Sequence, residues 1–384
     1  MIFIHLRNFS GIIIVCEFAH QEPYVLNVQL RQPVAVLNYN RRNNPHKPTK
    51  TAHFYVFCGL RKLNTLNLRL FHTPLNSRNH FSTVLIKTNW YTTSCKYSGC
   101  NALESVNIAS NSSLEKFGIY CFENCYALKS VTFDSPLKEL GHDCFNRCKM
   151  LQTCDLSAST ITTLPYNAFY YCSSLKSVKL PKTIKTIESK AFYYCSLLND
   201  VVIPDGVTNL GESSFEACQK LQKINIPASV KTINATAFYN CVALQNIELA
   251  PNSSLNTLGN SCFAYTNLHE VNLDAPIATF GEKTFTGCTN LTKASISDKC
   301  LATSLGSQCF MGCTSLTEVH LPKYLTDLAA STFANCKKLQ EVIVPSKVRT
   351  LGGSCFDGCE ALASVELSKS LQTISMYSFD GCIA

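Results

Sequence analysis

The chain has 384 residues, is 46% hydrophobic and 16% charged, and carries a formal net charge of +8 at pH 7. No stretch approaches the roughly 18 consecutive apolar residues that a membrane-spanning helix needs, so a helical membrane protein is excluded on the sequence given. The charge is also unevenly placed: residues 1–94 hold eleven Lys or Arg against Glu17 and Glu22, while the rest hold 23 basic and 24 acidic residues.

Residues 1–94 show no period. Residues 38–51, with Arg41, Arg42, Lys47, Lys50, Pro45 and Pro48, read as a solvated loop or linker. Phe57, Leu60, Leu63, Leu66 and Leu68 allow one degenerate version of the unit repeated further on. The segment reads as an irregular cap, a partly disordered extension or a mispredicted start. Its charge permits contact with a polyanion, but no aromatic or Gly-based module accompanies it, and nucleic acid is not the expected partner. As a signal peptide, residues 1–16 are poor, because Arg7 and Asn8 interrupt the apolar run.

From residue 95 to the end an aromatic anchor recurs thirteen times, at Tyr97, Phe122, Phe145, Phe169, Phe192, Phe215, Phe238, Phe263, Phe285, Phe310, Phe333, Phe356 and Phe379. The mean spacing is 23.5 residues. Such a period predicts one supersecondary unit per repeat, stacked into a solenoid. The consensus is F-x-x-C-x-x-L-x-x-V-x-L-P-x-x-V-x-x-I-x-x-x-A-F. Its L-x-x-V-x-L part predicts a short strand, since residues two apart share a face. The Pro that follows ends pairing. The V-x-x-I part fits a turn or a second extended arm. The A-F-x-x-C part predicts a single helical or 3₁₀ turn with Phe and Cys inward. Gly211, Gly259, Gly281 and Gly352 recur just before an anchor, where a corner calls for positive φ. No rung can bury its apolar side chains alone, so stacking must. Two irregularities interrupt the pattern: Phe263 is followed by a one-residue deletion that loses the Cys, and Cys154 and Ala294 replace the central strand aliphatic.

Of the 22 cysteines, twelve stand three residues after an anchor and five directly before one. That placement predicts columns of buried thiols acting as small hydrophobes. Adjacent rungs lie close enough for disulfides, but each thiol in a column has two equivalent neighbours, which specifies no unique pairing. The spacing does not match a zinc site. The histidines of the repeats (His142, His269 and His320) follow no pattern, so no base is placed beside a nucleophilic Cys. No cofactor, metal or catalytic residue is expected.

The residues flanking the central strand aliphatic point outward and form a ladder. Asn225, Glu248, Glu270, Asn272, Glu318, His320, Glu341 and Glu366 are the candidate partner-binding positions. Nothing in the fold constrains their side chains, and extended faces of this kind are what repeat proteins use for binding. Sequons occur at Asn8, Asn111, Asn234, Asn252 and Asn290, and Asn111 and Asn252 fall in lengthened loops.

Residues 168–181 read A-F-Y-Y-C-S-S-L-K-S-V-K-L-P and residues 237–249 read A-F-Y-N-C-V-A-L-Q-N-I-E-L. This combination resembles the BspA-like leucine-rich repeats, over about 290 residues. The fold expected is a stack of about twelve rungs of 23 residues, with a parallel β-sheet on one face and short turns or 3₁₀ segments opposite. Two domains follow: the basic segment 1–94 and the solenoid 95–384, whose last rung ends before its strand and has no polar cap. The resemblance implies a non-enzymatic protein that attaches a cell surface to host cells, extracellular matrix or other microbes. The alternative is an intracellular structural or signalling scaffold.

Overall fold

A computed structural model describes residues 98–99, 103–108, 115–134 and 136–384. It also describes the strands Ile2–Ile4, Ile13–Glu17, Val25–Arg31, Val34–Asn40, His53–Phe57 and Thr65–Leu68. The chain divides into two compact units. One comprises Met1–Ile161 and Cys172–Pro181, the other Thr162–Tyr171 and Lys182–Ala384. The second unit, and the first from Ser105 on, are built of the same rung, a parallel β-solenoid turn with no helix among the described residues.

In the first unit, Ser105–Ile108, Ser130–Phe133, Thr153–Asp155 and Ser177–Lys179 pair in parallel, with Val106, Val131, Cys154 and Val178 in register. Cys154 therefore holds the central aliphatic position without breaking the ladder. Thr65–Leu68 pairs in parallel with Ser105–Ile108, setting Leu66 against Val106 and Leu68 against Ile108. Val25–Arg31 and Val34–Asn40 form an antiparallel pair. That corrects the linker reading for residues 38–40, which lie in a strand; residues 41–51 fall outside those described.

In the second unit the first strand of each rung follows the expected spacing. Lys223–Ile226 pairs with Asn246–Leu249, and Glu270–Leu273 with Lys293–Ile296, which also pairs with Glu318–His320. Glu341–Ile343 pairs with Ser364–Glu366. Ala294 sits fully buried between Val271 and Val319, as regular as its neighbours. The V-x-x-I segment becomes a second, two-residue strand. Thr163–Leu164, Thr186–Ile187, Asn209–Leu210, Thr232–Ile233, Thr257–Leu258 and Thr279–Phe280 pair in succession.

The anchors fill the interior. In the second unit ten phenylalanine rings, from Phe169 to Phe379, stack rung upon rung at 5.0–5.7 Å between centroids. Burying each large ring is worth about 1.5–3 kcal/mol, and only the next rung supplies the cover.

The anchor turn is not a helical or 3₁₀ turn. Positive φ recurs two residues before and two after the anchor, as at Ser213 and Ala217 around Phe215, or Lys283 and Gly287 around Phe285. A left-handed residue at these two places aims alternate N–H groups along the stack. Ser213, Phe215 and Ala217 donate to the carbonyls of Ala235, Ala237 and Tyr239 on the next rung, at 2.8–3.0 Å. Those inter-rung bonds offset the strain of about 1–2 kcal/mol per non-Gly residue held at positive φ. The glycines before the anchors serve another purpose than the one expected. Gly211, Gly259, Gly281 and Gly352 do not have positive φ; a Cβ on any of them would run into the backbone of the preceding rung. They permit close approach.

The cysteine column is buried as expected and does more than fill space. All eighteen described cysteines are free, and only Cys382 is not fully buried. The thiol three residues after an anchor donates to the carbonyl of the preceding anchor. Examples are Cys148 to Phe122, Cys218 to Phe192, Cys241 to Phe215 and Cys359 to Phe333, at 3.0–3.3 Å. Where the Cys is lost, Thr266 takes its slot, donating to Phe263 O at 2.8 Å and lying 3.2 Å from Cys288 Sγ. Burial pushes the Cys241 thiol up to about 12, so that thiol stays protonated and unreactive.

Candidate recognition surface

A strand that alternates buried and exposed residues puts every second side chain on one outer face. Lys223–Ile226 and Glu270–Leu273 both show this alternation, with the aliphatics inside. All eight candidate residues lie on such strands in the second unit, and all eight are exposed. Parallel register then aligns them across rungs. Asn225 stands beside Glu248. Glu270 and Glu318 flank Lys293, and Asn272 and His320 flank Ser295. Ile343 stands beside Glu366, and Glu341 beside Ser364. The face is thus two columns of side chains at the strand spacing of about 4.8 Å, with no convergent pocket among them.

Lys293 is absorbed within the face. Its Nζ lies 2.7 Å from Glu318 Oε1. The hydrogen bond and charge of Glu318, with Glu270 on its other side, hold the ammonium above its ordinary value. Glu248, Glu341 and Glu366 enter no ion pair among the described residues. The columns therefore present uncompensated carboxylates.

Two apolar residues of the outward ladder stand out in the structure. Val202 is 74% exposed and Ile343 is 60% exposed. An aliphatic side chain left in water on a strand face contributes nothing to the fold. The sequence signal was present, because both stand at the outward position beside a central Val.

Among the described residues no three His, Cys, Asp or Glu side chains gather as a metal site would require. His269 and His320 lie on separate rungs, each in an exposed position. Fold and face together define a repeat solenoid of the leucine-rich type that offers an extended strand face rather than a cavity.

Comparison with known proteins agrees with that class. The model of the BspA type leucine rich repeat region matches residues 91–222, 185–303 and 301–384. The chain belongs to this family. A leucine-rich repeat protein from Bacteroides ovatus ATCC 8483 superposes with a TM-score of 0.53 at 22% identity, covering 96% of this chain and 92% of that one. A leucine rich cell surface protein from Faecalibacterium prausnitzii A2-165 superposes with a TM-score of 0.50 at 22% identity, covering 89% and 94%. At that identity the likeness establishes the fold. No curated protein matches. A leucine-rich repeat protein of this architecture is a protein-recognition scaffold. No helix among the described residues is long and apolar enough to cross a membrane.

Proposed function

We propose that the chain is a cell-surface adhesin, which uses the outer strand columns of its second unit to attach to host cells, extracellular matrix or other microbes. The observation that carries the reading is the exposed set Asn225, Glu248, Glu270, Asn272, Glu318, His320, Glu341 and Glu366, carried on three groups of in-register parallel strands. These side chains face water on a scaffold whose stability comes from the Phe and Cys columns behind them, so they can change without cost to the fold. Membership of the BspA-type family, and a structural neighbour described as a cell surface protein, support the surface location. The uncompensated carboxylates favour a partner with a basic patch.

The alternative, an internal scaffold, draws on the free thiols. Because all of those thiols but Cys382 are buried, they resist oxidation in either compartment, and they do not favour one over the other.

The test is a triple charge reversal, Glu318→Lys with Glu341→Lys and Glu366→Lys, in the full chain. Binding to cultured host cells and to immobilised matrix proteins should fall at least about tenfold, since like charges facing each other across an interface cost several kcal/mol. The far-UV spectrum should stay within error, and stability should fall by no more than the roughly 1 kcal/mol that the exposed Lys293–Glu318 pair can contribute. Unchanged binding by a folded variant would remove this face from the reading.

A further inference from the structure

On the rungs that carry the acidic columns, the corner following the strand carries the opposite charge. Lys323 and Tyr324 follow Pro322, Ser346 and Lys347 follow Pro345, and Lys369 and Ser370 follow Ser368. All six residues are exposed. Backbone bonds fix the three corners as neighbours: Arg349 N donates to Thr326 O and Gln372 N to Arg349 O, each at 2.8 Å, while Ser368 Oγ donates to Ser346 O at 2.8 Å. Arg349, also exposed, lies two residues beyond Lys347.

Three lysines elsewhere in this unit are neutralised, while others, such as Lys182 after Pro181, enter no ion pair among the described residues. Lys293 pairs with Glu318, Lys299 with Asp274 and Lys337 with Glu360. Lys323, Lys347, Arg349 and Lys369 enter no ion pair among the described residues. Instead, the Lys323 and Lys347 ammonium groups both sit over the ring of Tyr324, at 5.2 and 4.7 Å from its centroid. The ring attracts each cation, but in doing so it holds two like charges close together with no carboxylate to relieve them. It also fixes two long side chains whose ordering an anionic ligand would otherwise have to offset.

We propose that this corner is a second binding site, distinct from the strand columns, for a linear sulfated polysaccharide. Cations on three successive rungs, at about 4.8 Å per rung, match a polyanion that repeats its charge along a chain. Single-stranded nucleic acid would need an aromatic face on which to stack a base, and both ammonium groups lie over the one ring available. An anionic membrane would call for apolar side chains at the tip of each corner, where this corner presents Lys, Ser and a single Tyr whose ring two ammonium groups face.

The test is retention of the full chain on immobilised heparin in a salt gradient, with affinities measured at 0.15 M salt. Because residues 1–94 are also basic, two multiple variants are compared. The first is Lys323→Ser with Lys347→Ser and Lys369→Ser; the second is Arg41→Ser with Arg42→Ser, Lys47→Ser and Lys50→Ser. The first should weaken binding by about tenfold or more and flatten its salt dependence, because fewer counterions are released. The second should leave at least half of the affinity in place. Tyr324→Ala should give an intermediate loss with every charge retained. The proposal is overturned if the corner variant elutes with the parent, if the N-terminal variant alone abolishes retention, or if DNA or phosphatidylserine vesicles bind as tightly as heparin and lose as much from the corner variant. The strand-face reversal at Glu318, Glu341 and Glu366 should not weaken heparin binding, which separates this site from the proposed adhesive face.

Discussion

Phe238→Ala tests the interior of the stack most sharply. The ring is fully buried, and it stacks on Phe215 at 5.1 Å and on Phe263 at 5.3 Å, nearly parallel to both. Truncating a buried Phe to Ala costs about 3–5 kcal/mol, and each lost aromatic neighbour adds about 0.5–1.5 kcal/mol. With rings above and below, Phe238→Ala should therefore cost at least about 4 kcal/mol. Phe379→Ala is the internal control. Its ring is only partly buried and stacks on Phe356 alone among the described residues, at 5.4 Å. It should cost less than half as much, because stability in a solenoid is a sum over nearest neighbours. Urea unfolding followed by far-UV circular dichroism measures both. Phe238→Ala should also broaden the transition by splitting the array at that rung. Equal costs at the two positions, or a cost at Phe238 below about 1 kcal/mol, would refute the nearest-neighbour account.

Three further outcomes follow from the same geometry. In Ellman titration of the native chain at pH 8, the seventeen buried cysteines should react slowly and Cys382 rapidly, with all 22 reacting in urea; fast native reaction of Cys218 or Cys241, located by mass spectrometry, would contradict the buried column. Stability should fall as pH rises from 8 to 10: the unfolded thiols ionise there while Cys241, pushed up to about 12, stays protonated, so that thiol's contribution is intact below the unfolded value and drops by roughly 2 kcal/mol by pH 10. A Cys241→Ala variant should show a correspondingly shallower decline in urea unfolding, and an identical slope would count against the assignment. Gly259→Ala should cost at least about 2 kcal/mol, since its Cβ would meet the backbone of Ala235, whereas Gly353→Ala, whose nearest neighbour is Met376 O at 3.4 Å, should change the melting temperature little.

Much of the architecture can be read from the sequence because a period of this kind leaves few solutions. The spacing of Leu221, Ile224 and Ile226 predicts both the strand and its buried face, and the structure agrees. The anchor turn was not legible. Its left-handed positions are held by Tyr, Lys, Ser, Thr and Gln as well as by Asn and Gly, so the usual marker of positive φ is diluted. The conformation is imposed by hydrogen bonds to the next rung, a constraint that exists only once rungs are stacked. The glycines misled for the complementary reason: Gly is required equally by positive φ and by close backbone approach, and a sequence does not distinguish them. The role of the thiols as donors to Phe carbonyls was hidden in the same way, since Cys and a small aliphatic look alike in a buried column. For the candidate site, alternation along each strand located the outward residues, but only the register shows that Lys293 is claimed by Glu318 and that Ile343 stands beside Glu366. The rung that pairs Thr65–Leu68 with Ser105–Ile108 touches the degenerate repeat read at Leu66 and Leu68. Most of residues 1–94 lie outside the described part of the chain.

The central claim is that the second unit works outside the cell, and protease treatment of intact source cells tests it directly. An antibody against residues 200–360 reports whether the solenoid is reached. Loss of the epitope without release of a cytosolic marker is the predicted result. Complete protection on intact cells, with digestion only after lysis, would contradict the adhesive reading and leave the acidic strand columns to an internal partner.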